Sequence, residues 1–152
     1  LIQEATIERI LARLESGTDD FNVEIQDFAE AQPNLAAYLT NEDSETLNED
    51  ERTLLLFGAI VIYQSVMDER IVRDVISEEI IGQLEEDNYA LMPAKGAFRD
   101  RLTPFFEESE EEELLAFAED LIVAEADEDG ITKEAREPMF IALKTVIDCL
   151  LI

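Results

Sequence analysis

The stretch from Asn48 to Met67, NEDERTLLLFGAIVIYQSVM, decides how the rest of this chain is read. Glu51 stands three residues after Asn48, the form of a capping box with asparagine in the serine or threonine role. Beyond that cap, Leu54, Leu55, Leu56, Phe57, Ile60, Val61, Ile62, Tyr63 and Val66 fall on every side of a helical wheel. A helix apolar all round has no face to give to water and belongs in the middle of a bundle. The apolar run from Leu54 to Tyr63 is about half of what a bilayer helix needs, so no membrane insertion is expected. Glu49, Asp50 and Glu51 before it, and Asp68 and Glu69 after it, bound a core helix.

Outward from this segment, apolar residues recur at three- and four-residue spacing, and glycine and proline are scarce. That pattern predicts helices throughout and no strand. A first helix is expected from Ile2 to Glu15, with Ile7, Ile10, Leu11 and Leu14 on one stripe, ended by Ser16-Gly17. Asp19 or Asp20 caps a second, whose Phe21, Ile25 and Phe28 face the core and which stops before Pro33. Leu35 to Leu39 makes a short helical piece, followed by the polar connector Thr40 to Thr46.

After the central helix, Val72, Val75, Ile76, Ile80 and Leu84 predict an amphipathic helix over Glu69 to Glu85. From Asp87 to Phe106, Pro93, Gly96 and Pro104 break the pattern, which leaves an irregular stretch with one short helix. Ser109 and Glu112 have the form of a second capping box, opening a helix with Leu114, Phe117, Leu121 and Ile122. Thr132 caps the last helix, where Met139, Phe140, Leu143, Val146, Ile147 and Leu150 share a face and Pro138 allows a bend. The fold class expected is all-α, a single-domain bundle of about six or seven helices over residues 1–152.

The two halves also align at an offset of 84 residues: Leu39 to Gln64 lies over Val123 to Asp148, matching Asn48 with Thr132, Asp50 with Glu134 and Arg52 with Arg136. Each half is then a helix, an acidic turn, a cap and a second helix. Either duplication or chance similarity of two capped hairpins gives this alignment.

Charge limits the partners. Asp and Glu number 38 against 11 Lys and Arg, with no histidine, for a formal net charge of -27 and a pI near 4.1. At 47% apolar residues the chain nevertheless carries enough to fold. Nucleic acid and anionic membrane surfaces repel such a molecule, so the partner expected is a protein, one with a basic surface. Mutual repulsion among the carboxylates costs stability, which salt, acid or divalent cations should relieve. Cys149, alone and flanked by Val146, Ile147, Leu150 and Leu151, is expected to be a buried small hydrophobe. Neither end carries a recognisable leader or targeting motif, and a cytoplasmic location is the expectation for the residues given.

Without histidine, imidazole-assisted hydrolysis, zinc sites with histidine ligands and the Glu-x-x-His di-iron bundle are unavailable. Carboxylate chemistry remains, although the acids from Glu107 to Glu113 are expected to be a solvated helix start complementing the macrodipole. The turn around Asp127, Asp129 and Gly130 clusters oxygen ligands beside a tight glycine, as a hard cation such as Ca, Mg or Mn requires. It is not an EF-hand, because the closing glutamate of such a loop would fall on Arg136. Aspartates solvated in a glycine turn between two helices are the plainer reading.

The stretch Ile122-Val123-Ala124-Glu125-Ala126-Asp127-Glu128-Asp129-Gly130-Ile131-Thr132-Lys133-Glu134 resembles the signature of the tellurite-resistance TerB-like family. The resemblance spans Ala116 to Phe140 and implies a small all-helical protein with a repeated hairpin and a divalent-metal-binding acidic turn. It would make Asp129 and Glu134 ligands, and the role metal-linked stress response or scaffolding. Ala135 stands where a second acid is expected, and Asn41 to Asn48 lacks an Asp-Gly.

Two further constellations could carry chemistry. Glu24-x-x-Asp27, Glu108-x-x-Glu111 and Glu134-x-x-Glu137 have the spacing with which magnesium-dependent nucleotide pyrophosphohydrolases of the MazG type share a metal ion, a likeness limited to that spacing. Lys95, Arg99 and Arg101 beside Phe98, Phe105 and Phe106 form a basic, aromatic island between Pro93 and Phe106. It either receives an anionic ligand or partner carboxylate, or pairs internally with neighbouring acids. The expectation is a non-catalytic interaction or divalent-metal-binding module, with Asp127, Asp129 and Glu134 as metal candidates and Lys95, Arg99 and Arg101 as partner or anion contacts. The alternative is an acidic mimic or inhibitor of a basic protein; the pyrophosphohydrolase ranks below both.

Overall fold

In the computed structural model, which describes residues 2–17, 20–40, 47–70, 74–126 and 133–151, every regular element is an α-helix. In chain order these are α1 Glu4–Glu15, α2 Phe21–Ala31, α3 Pro33–Leu39, α4 Glu49–Glu69, α5 Glu78–Leu91, α6 Phe98–Arg101, α7 Thr103–Glu108, α8 Glu112–Ala126 and α9 Lys133–Leu150. The helices form one bundle around a continuous apolar core. No described helix is long and apolar enough to cross a membrane.

Local chemistry sets several boundaries as expected. Asn48 Oδ1 accepts from the Glu51 amide while Glu51 Oε1 accepts from the Asn48 amide, both at 2.8 Å, closing the capping box of α4. Asp20 caps α2 by accepting from the Asn22 amide at 2.9 Å. Gly17, at φ 72°, turns the chain out of α1, and Pro33 takes the first position of α3 directly after α2 ends.

α4 lies at the centre, packed along α9, and α9 in turn carries α5 and α8 on its other sides. α1 covers α4 and touches α8, while α2 and α3 close the remaining face of α4. From Met139 to Ile147 every residue of α9 is buried, so this helix shares the centre with α4 and is not one-faced. Phe140 anchors that centre, edge-on to Phe105 at 5.3 Å and to Phe98 at 6.3 Å between ring centroids. Gly58 has no room for a side chain: a Cβ there would sit 2.7 Å from Leu121 Cδ2 and 3.3 Å from Leu143 Cδ2.

α4 and α9, the second helices of the two aligned halves, pack against each other. The expected helix from Glu69 to Glu85 is displaced. α5 begins at Glu78, Ser77 is its cap, accepting from the Ile80 amide at 3.2 Å, and Val75 and Ile80 are about half exposed. The cause lies elsewhere in the chain: Gln32, almost wholly buried, donates to the Asp74 carbonyl at 2.9 Å and accepts from the Ile76 amide at 3.0 Å. Asn34 donates to the Ile76 carbonyl at 2.9 Å. Two amide side chains thus hold residues 74–76 outside the helix, because they satisfy backbone groups that a helix would otherwise pair.

The irregular stretch expected from Asp87 to Phe106 contains the end of α5, then α6 and α7. The Ser109 hydroxyl accepts from the Glu111 amide at 3.1 Å rather than from that of Glu112. Glu111 itself is buried and accepts from the Ile2 amide at 2.9 Å, so one member of the expected solvated acid run tethers the chain's first residues.

Candidate functional site

The proposed metal ligands Asp127 and Asp129, with Gly130, lie outside the described residues. Glu134 is exposed in the first turn of α9. Among the described residues no group of three Asp, Glu or Cys side chains is placed to hold a metal ion.

The basic island is divided. Arg101 donates from Nε to the Pro93 carbonyl at 2.7 Å and pairs with Glu137 at 3.0 Å, its side chain largely buried. Arg99 reaches Glu119 at 4.0 Å and is mostly exposed, and Lys95 is exposed. Burial raises the Glu119 carboxyl above its ordinary value, an effect that Arg99 opposes and Asp120 adds to. Phe98 and Phe105 pack onto Phe140, so the aromatic half of the island belongs to the core.

In each of the three Glu-x-x-acid pairs one carboxylate is already committed. Glu24 accepts from Gln64 Nε2, Glu111 from the Ile2 amide, and Glu137 pairs with Arg101. A shared magnesium ion needs both members of a pair, so this spacing gains no support from the geometry.

Periodicity gave no sign of a polar cluster between α5 and α9. Lys144, 7% exposed, contacts both oxygens of Asp148 at 2.6 and 2.7 Å. Asn88 donates to Asp148 at 3.1 Å and to the Thr145 hydroxyl at 3.2 Å, and Lys144 reaches Asn88 Oδ1 at 3.4 Å. Thr145 returns its own proton to the Ile141 carbonyl at 2.7 Å. This network floors an open cleft of about 740 Å³ whose rim includes Arg70, Asp87, Glu108 and Glu110. Its charged groups are matched to each other, which makes it a polar pin joining two helices. Beside it, the Tyr38 hydroxyl donates to Glu85, and burial followed by that carboxylate raises the phenol. Burial and Asp148 together push the Cys149 thiol up to about 12.

A second concavity, about 340 Å³, runs between α1 and α8. Its floor is apolar: Ile7 and Leu11 from α1, and Ala116, Phe117 and Leu121 from α8. Its rims are acidic, with Glu4, Glu8 and Glu15 on one side and Glu113 and Asp120 on the other. At ~100° per residue the three α1 acids fall within about 40° of one another. The basic residues of α1 lie on a different face and are drawn to α4: Arg9 pairs with Asp68 at 2.6 Å and Arg13 donates to Gln64. α1 is therefore sorted by charge, with cations toward α4 and anions toward the groove. The sequence shows each of these acids, but only the docking of α1 beside α8 brings the two rows together.

Comparison with known proteins finds no match to a family model, a curated protein or a solved structure.

Proposed function

We propose that this protein is a non-catalytic interaction module that recognises a basic protein. The observation that carries this reading is the fate of its cations. Among the described residues, Arg9, Arg99, Arg101 and Lys144 pair with carboxylates and Arg13 donates to Gln64. Among the described acids only Glu51 and Glu111 are buried, and both accept from backbone amides. Several cations are thus met within the fold while the other described acids keep contact with water, and with a net charge of -27 the outward field is negative, which steers and selects a positive partner.

Affinity co-purification from the native host at ~0.15 M salt, followed by titration of the retained protein with salt, tests the reading. A retained protein of high pI whose affinity falls steeply with ionic strength is the expected result. Retention of only acidic proteins, or affinity indifferent to salt, would overturn it.

A further inference from the structure

We propose that the groove between α1 and α8 is the docking site for a basic amphipathic helix of the partner. The proposal rests on the interaction-module reading and names the surface and the chemistry it takes. An apolar floor flanked on both sides by carboxylates is the complement of a helix with an apolar stripe bordered by lysine or arginine. Leu11, Phe117 and Leu121 are only partly buried, so a visiting side chain has apolar surface to cover. From Glu4 to Glu15 the acidic edge runs roughly 16 Å, or three helical turns.

Other occupants fit less well. A second copy brings a net charge of -27 toward the same acidic rims, and a nucleic acid or anionic lipid surface meets the same repulsion. An acidic surface that merely imitates phosphates needs no apolar floor, whereas here Phe117 and Leu121 separate the two charged rows. The internal pairing of Arg9 and Arg13 away from the groove leaves the rim carboxylates of α1 to an incoming cation.

The test uses the whole chain and two synthetic peptides of about 16 residues, identical in lysine and leucine content. One places leucines at i, i+3, i+4 and i+7 with lysines flanking them, and the other is scrambled to remove the stripe. Fluorescence anisotropy is read for the unmodified protein and two variants of equal charge. The groove variant carries Glu4→Gln, Glu8→Gln, Glu113→Gln and Asp120→Asn. The control variant carries Asp27→Asn, Glu30→Gln, Glu79→Gln and Glu86→Gln, all exposed acids elsewhere.

The amphipathic peptide should bind about tenfold or more tightly than the scrambled one, and the groove variant should lose about tenfold while the control loses threefold or less. Equal binding of the two peptides, or equal loss in the two variants, would overturn the groove and leave the general acidic reading standing. Absence of binding by either peptide at ~0.15 M salt would overturn both.

Discussion

At the residue scale, the Lys144–Asp148 pair separates stability from charge. Lys144 is nearly buried and Asp148 about a quarter exposed, so removing the lysine leaves a partly desolvated carboxylate with only Asn88. Lys144→Met should cost roughly 3 kcal/mol in denaturant unfolding, the low end for breaking a buried pair because Asp148 keeps some water. Adding Asp148→Asn should recover part of that loss; a double variant as unstable as the single one would refute the pairing account. Cys149 sets an alkaline limit. Its thiol keeps its proton to about 12 in the native state, while an unfolded thiol loses it near 8.5. Between these values the unfolded chain binds fewer protons, so stability falls as pH rises. Melting temperature should therefore decline from pH 9 upward and decline less in Cys149→Ala, measured by thermal melts across that range. Tyr38, raised in the same direction, adds to the slope above pH 10.

At the element scale, the boundary of α5 shows what local sequence carries and what it does not. The cap of α4 was legible because Asn48 and Glu51 satisfy each other within one turn. The start of α5 was not, because the groups that hold residues 74–76 outside the helix come from Gln32 and Asn34, 42 positions earlier. Nothing local marks Lys144 as buried for a related reason: Asn88, which it reaches, lies on α5, 56 positions away. The candidate site divides along the same line, since each rim acid is visible in the sequence while the pairing of α1 with α8 is tertiary. Gln32→Leu removes two hydrogen bonds to the backbone of Asp74 and Ile76 and should cost about 2 kcal/mol. Hydrogen exchange should then quicken at Ile76 first; unchanged protection there would refute the pin. Gly58→Ala should weaken peptide binding several-fold, because the new methyl presses on Leu121, which lines the groove, while Leu143 behind it is fully buried. Its net stability cost should be ~1 kcal/mol, the crowding partly offset by alanine's better helix propensity.

At the scale of the whole molecule, a net charge of -27 makes stability a function of the solvent. Raising sodium chloride from ~0.01 to ~0.2 M should raise the melting temperature, since screening relieves repulsion that extends over the Debye length. Calcium, magnesium and manganese at matched ionic strength then separate screening from a specific site. A further rise in melting temperature would support metal binding at the Asp127 and Asp129 turn, and no further rise would reject it.

The tether between the Ile2 amide and Glu111 has a topological result for anyone adding sequence to this chain. Glu4 and Glu113, two residues beyond each tethered position, stand on opposite rims of the groove. A basic amphipathic peptide fused ahead of Ile2 by a short flexible linker is thus delivered at the groove's mouth, at millimolar effective concentration. Such a fusion should occupy its own site and shut out free peptide.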